Sequence, residues 1–180
     1  MHTRLFHFSD VDSIKSFVPR PVLVPTQRSE GQESLNSPLV WAIDEWHQPM
    51  YLFPRDCPRI LLWRKDETTK KDLDLYFGSS DARILAYVEE SWRAKIESET
   101  IYRYELPSES FQSLEDAGMW VSQTVVDPTE TVALTDLPSR LRRESVELRV
   151  LDVLTSLKGV WNTTLHASGI RLRNATKWGA

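Results

Sequence analysis

Apolar residues fall along the chain in short blocks separated by polar, proline-rich stretches. The first block, residues 1–8, contains Leu5-Phe6-His7-Phe8 and predicts a strand. Asp10 or Asp12 is placed to open a short helix over 10–16. Residues 18–38 hold four prolines, Gly31, Asn36 and several serines, which predicts a long loop, mobile over 25–38. LVWAI (39–43) is a continuous apolar run of the buried-strand kind, after which Asp44 caps a short helix carrying Glu45 in its first turn. RILLW (59–63) is a second buried strand, RKDETTKKD (64–72) a solvated loop, and LDLYF (73–77) an edge strand or turn. Ile84, Leu85, Val88, Trp92 and Ile96 recur at helical spacing and predict a helix from near Ser80, strengthened by Asp81. TIYRYEL (100–106) alternates as a strand, with Tyr102, Tyr104 and Leu106 on one face. Pro107-Ser108 opens a second helix that ends near Gly118. MWVSQTVV (119–126) and TVAL (131–134) are strands split by Asp127-Pro128. LPSRLRRE (137–144) reads as a short helix, VELRVL (146–151) as a last strand, and 153–167 as a helix despite Gly159.

Six or seven strands and four or five helices alternate irregularly, without a glycine-rich βα turn or a Walker pattern. That argues against a dinucleotide-binding doubly wound fold or a P-loop fold and predicts an α+β domain. Its sheet is expected to be split and mostly antiparallel, with flanking helices. A length of 180 residues suits a single domain, 1–180.

Composition narrows the function classes. The net charge of −4 gives no drive towards nucleic acid, and Arg140, Arg142 and Arg143 form only a weak basic patch. No apolar run of about 18 residues is available to span a membrane. The N-terminus, MHTRLFHFSD, has no signal-peptide stretch, and Cys57 is the only cysteine, so a cytoplasmic location is expected. Seven tryptophans exceed what a core of this size needs; most are expected inside, with one or two lining an aromatic pocket.

Four histidines, His2, His7, His47 and His166, occur without metal-ligand spacing, so no metal site is expected. Cys57 lies between Arg55 and Arg59 in PRDCPR, where the cations would activate a thiol; the alternative is a small buried residue. Arg20, Arg55 and Arg59 sit beside prolines that stiffen the backbone, which suits a clamp for carboxylate or phosphate or, equally, surface ion pairs. Strand alternation puts Leu5, His7 and Ser9 on one face and Phe6 and Phe8 on the other. If the phenylalanines face the core, His7 and Ser9 face a ligand; otherwise His7 is a hydrogen-bonded core histidine.

The segments LFHFS, VWAIDEWHQPMYLFPRDCPR, VELRVL and SGIRLRNA look like the signature of a family of bacterial and fungal proteins with no assigned reaction, over almost the whole chain. More loosely, HFS (His7-Phe8-Ser9) resembles the His-Gly-Ser motif of the ADP-ribosyltransferase-like fold. VWAID followed by WHQPMY is similar to that superfamily's second motif, with Trp41 in the strand and Tyr51 in a helix after it. The resemblance implies that His7 binds the ribose of NAD and that the aromatics flank the nicotinamide. Phe8 stands where the superfamily has glycine, and Ser122 and Gln123 stand where a late strand brings its glutamate. Glu89, Glu90 and Glu105 are the available substitutes.

The expectation is therefore a cleft gathering His7, Ser9, Trp41, Asp44, His47 and Tyr51, with Arg20 and Arg55 at its rim. Ser122 and Arg171 are further binding candidates. His7 or His47 would be the general acid or base of a transferase or hydrolase acting on a small molecule. NAD is the substrate that the resemblance implies, for ADP-ribosyl transfer or NAD hydrolysis. The alternatives are a cofactor-free isomerase, cyclase or hydrolase of a specialised metabolite, and a non-catalytic module binding a nucleotide or anion.

Overall fold

A computed structural model describes residues 3–21 and 33–179. In chain order the strands are β1 (Leu5–Ser9), β2 (Val40–Asp44), β3 (Arg59–Trp63), β4 (Ile84–Glu89), β5 (Ile101–Leu106), β6 (Gln112–Ser113), β7 (Met119–Ser122), β8 (Glu130–Leu134), β9 (Val146–Leu151) and β10 (His166–Ile170). Three α-helices, α1 (Lys70–Tyr76), α2 (Arg93–Ser98) and α3 (Leu137–Arg143), and several 3₁₀ turns join them. The fold is α+β, with sheets that are antiparallel except at one strand pair.

The chain divides into two compact units. The first, Met1–Gln48 with Ile101–Leu134, holds an antiparallel sheet in the order β6-β7-β2-β1-β5-β8. β1 lies between β2 and β5, in a register that sets His7 opposite Tyr104 and Leu5 opposite both Leu106 and Asp44. Leu5, Val40, Ala42, Tyr104 and Leu106 form a core with Phe17, Phe111 and Val126. Removing their apolar surface from water, at about 25 cal/mol per Å², holds this sheet together. The His7 face of β1 thus carries core as well. Leu5 and Phe6 are both fully buried, and Phe6 is covered by the guanidinium groups of Arg4 at 5.0 Å and Arg103 at 4.7 Å.

The second unit, Pro49–Thr100 with Thr135–Ala180, holds the sheet β10-β3-β4-β9, in which only β4 and β9 are parallel. Every residue of β3 and β4 is buried, and Ile60, Leu62, Leu85 and Tyr87 pack against Phe77, Leu154 and Val160.

Several predicted elements differ. Residues 10–16 are not helical because a buried phenol takes over their backbone bonds: the Tyr104 hydroxyl donates to Val11 O at 2.6 Å and accepts from Ile14 N at 3.3 Å. The apolar run ILAYV is strand β4 rather than helix, since a sheet-centre strand can bury every position and a surface helix cannot. Helix begins only at α2. No helix spans 108–118, where Glu115, Ala117 and Gly118 all take positive φ. Asp44 caps a turn followed by a 3₁₀ segment, Gln48–Tyr51. LDLYF belongs largely to α1, which Thr69 caps by accepting from Asp72 N. The helix expected over 153–167 is a 3₁₀ segment, Leu154–Asn162, followed by β10. Residues 25–32 of the expected mobile loop lie outside the described residues. Of the seven tryptophans only Trp63 is buried, stacked on His166 at 3.8 Å between ring centroids.

Candidate functional site

Asp44 ends β2, and its backbone N–H donates to the carbonyl of Gly118 at 2.9 Å. One Asp44 carboxylate oxygen accepts from the backbone N–H of His47 at 2.8 Å, which reverses the chain. That turn brings the imidazole back over the same carboxylate, with Nδ1 2.8 Å from Oδ1 and 3.1 Å from Oδ2. The edge of Trp46 packs on the ring at 4.5 Å. Gly118 makes the arrangement possible. Its φ is +70°, and a Cβ built there would lie 2.2 Å from His47 Nδ1 and 2.7 Å from Asp44 Oδ2.

The electrostatics follow from this geometry. Burial pushes the Asp44 carboxyl up, but the hydrogen bonds from the His47 side chain and backbone outweigh it, so the group stays below its ordinary value. Asp44 therefore accepts from Nδ1–H and fixes the tautomer, leaving Nε2 to carry the lone pair of the neutral ring. Both side chains are about one-fifth exposed, so the ring is not sealed from solvent. An oriented carboxylate–imidazole pair that reaches solvent can take and return a proton.

The other candidates of the first unit have different roles. His7 donates from Nδ1 to the carbonyl of Trp41 at 2.8 Å, and its ring packs against Phe17 at 4.7 Å. Ser9 is buried, and its hydroxyl accepts from Val11 N at 3.1 Å as part of the turn that ends β1. Ser122 is buried and bonded to the hydroxyls of Ser110 at 3.0 Å and Thr124 at 3.1 Å. Arg20 is exposed, with its backbone bridged to Leu39. Trp41 is half-buried. Glu105 is held by two nitrogens of Arg4, at 3.0 and 2.7 Å.

In the second unit the guanidinium of Arg59 lies over the rings of Tyr51 at 5.6 Å and Phe53 at 5.1 Å. Arg171 Nε donates to the carbonyl of Arg55 at 3.4 Å, and Asn174 donates to the carbonyl of Asp56 at 2.8 Å. Cys57 is fully buried. Burial pushes its thiol up to about 12, against the opposing pull of Arg59, so flanking arginines do not activate it.

The sequence reading missed Gly118. Its one signal is a lone glycine before a strand, which does not reveal what it approaches. No group of three or more His, Cys, Asp or Glu side chains among the described residues could hold a metal ion. Of two cavities, one of about 520 Å³ between β9, α2 and α3 is lined by none of the predicted site residues, and one of about 360 Å³ beside β6 and β7 is reached among the sequence candidates by Gln123 alone. No helix among the described residues is long and apolar enough to cross a membrane.

Among known proteins, the model of a family of unknown function (DUF6886) matches residues 6–175. Neither a curated protein nor a solved structure matches the chain, and the comparisons lend the ADP-ribosyltransferase-like resemblance no support.

Proposed function

We propose, for a chain that belongs to the DUF6886 family of unknown function, a small-molecule enzyme in which His47, oriented by Asp44, is the general acid–base group. The observation that carries this reading is the Asp44–His47 pair fitted against Gly118. A histidine that only capped a turn would need its backbone N–H on Asp44, but not its ring. Here one carboxylate takes both, and a glycine in the left-handed region leaves room for them. Asp44 holds the ring in one tautomer and orientation, so Nε2 is the atom that can accept a proton from an attacking hydroxyl and return it to the leaving group.

NAD is the first substrate to test, because the resemblance of His7-Phe8-Ser9 and of the Trp41 and Tyr51 segments implies it. In that form, water or an acceptor hydroxyl attacks C1′ of the nicotinamide ribose, nicotinamide leaves, and His47 takes the proton of the attacking group. The same pair would serve cofactor-free isomerisation, cyclisation or hydrolysis of another metabolite. The single cysteine supports a cytoplasmic location, and the charge balance supports a small molecule rather than nucleic acid or a membrane as partner.

The test is NMR of the protein with NAD, following binding and release of free nicotinamide in wild type and in His47→Ala and His7→Ala. The expected result is release that falls about 10²- to 10⁴-fold in His47→Ala while binding persists. Binding without release in wild type would favour a nucleotide-binding module. Absence of both removes NAD and moves the same variants to other metabolites. Full activity of His47→Ala on any substrate that the wild type turns over overturns the role of His47.

A further inference from the structure

Each sheet ends in two edge strands, whose outward N–H and C=O groups can pair with a strand of another chain. Three of the four edges carry features that discourage such pairing. β6 has only two residues. β8 follows Pro128 and opens with the exposed Glu130. β10 is interrupted by Gly169, against which Leu172 and Trp161 pack closely. The fourth edge, β9, is six residues long and contains no proline, glycine or lysine. It pairs with β4 along its whole length without a bulge. On its other side, none of its backbone groups has a bond among the described residues.

Alternation sorts the side chains of β9 by chemistry. Val146, Leu148 and Val150 share one face and, with Val88 and Ile96, line the cavity of about 520 Å³ that opens beside the strand. Leu148 and Val150 are only half-buried, so this edge leaves apolar surface to be covered. Glu147 and Arg149 lie on the other face. They do not guard the edge as a net charge would, because Arg149 Nε donates to Glu147 at 2.7 Å. Both are also held in place, Glu147 by the Ser80 hydroxyl and Arg149 by the Tyr76 carbonyl at 2.5 Å and the Tyr87 hydroxyl at 2.9 Å.

The order of these residues is self-complementary. From either end, Val-Glu-Leu-Arg-Val shows the same apolar pattern about Leu148, with opposite charges beside it. When two copies pair antiparallel about a two-fold axis at Leu148, Val146 faces Val150 of the second copy and Glu147 faces its Arg149. A shift of register by two residues sets Arg149 against Arg149 or Glu147 against Glu147, so the charges fix the pairing. We infer that β9 is the interface of a homodimer, joining the four-stranded sheets of two copies into one continuous sheet. The inference does not rest on the role proposed for His47.

The test is sedimentation velocity of the full chain from about 1 to 200 μM, where a modest interface gives a measurable dissociation constant. Wild type is expected to pass from monomer to dimer. Leu148→Lys sets two like charges together at the axis and should weaken association roughly ten-fold, with an unchanged circular dichroism spectrum. Glu147→Arg and Arg149→Glu should each associate more weakly alone, but an equal mixture of the two should form a heterodimer, because each charge then meets its opposite only across the interface. In wild type, which needs no substitution, β9 amides should exchange more slowly as concentration rises. A chain that stays monomeric throughout overturns the inference and leaves the edge to a strand from another protein. It is equally overturned by a dimer that Leu148→Lys does not weaken, by β9 exchange that is independent of concentration, or by folded charge variants that do not associate when mixed.

Discussion

At the scale of single residues, Gly118 decides whether the Asp44–His47 pair exists. Gly118→Ala should cost about 1–3 kcal/mol and displace the imidazole, because it meets both a left-handed backbone and His47 Nδ1 at 2.2 Å. Gly78→Ala is the matched control, since Gly78 also has positive φ but nothing within 4 Å of its Cβ position. Thermal unfolding of both variants, with the His47 ring followed by NMR, separates the contact from the backbone penalty. Asp44 supplies a second prediction. Its folded-state carboxyl lies below the ordinary value of 3.8, so its contribution is fully present above that value and is lost as pH falls through the folded-state value. Stability of Asp44→Asn should therefore fall less steeply than that of wild type as pH drops below about 4; parallel acid-denaturation curves would show that the pair does not contribute. The sequence revealed Asp44 as a cap and His47 as its neighbour, because that relation is local. Gly118 was not legible as their partner, since its role depends on the pairing of β2 with β7.

At the scale of elements, Glu89 ties three pieces of the second unit together. It ends β4, is 1% exposed, and accepts from Leu154 N at 3.2 Å, Thr176 N at 2.9 Å and the Thr176 hydroxyl at 3.0 Å. Glu89→Ala orphans those donors and should cost about 2–3 kcal/mol, while Glu89→Gln, which keeps an acceptor, should cost less. Urea unfolding of both variants measures the difference. Unchanged stability in Glu89→Ala would mean that water replaces the carboxylate. Among the elements legible in sequence, β5, β9 and α3 have patterns that only one period fits. ILAYV fits both periods, and only the partners on either side of β4 resolve it. Helix α1 buries no residue, so it shows no apolar stripe to read; Thr69 and Asp72 fix it instead through bonds to Thr164.

At the scale of the whole molecule, the order of elements along the chain determines what can fold alone. The first unit is interrupted by residues 49–100, and four strands of its sheet come after that interruption. A fragment ending at Thr100 keeps only β1 and β2 of that sheet, and a two-stranded pair is marginal in water. Such a fragment should show no cooperative unfolding by circular dichroism, whereas a cooperative transition would mean that residues 1–100 hold a self-sufficient core. The α+β class was readable from the irregular alternation of blocks. A split, mostly antiparallel arrangement was also expected; which strands belong to which sheet was not legible, because it depends on which distant strands pair. The placing of β1 between β2 and β5 also bears on how the protein is made. Synthesis proceeds at about 5–20 residues per second, so β5 leaves the ribosome several seconds after β2. Through that interval one edge of Leu5-Phe6-His7-Phe8 has no neighbouring strand on the nascent chain. The strand that carries His7 is therefore one of the segments held with a bare edge during translation, and slowing expression should raise the yield of folded protein.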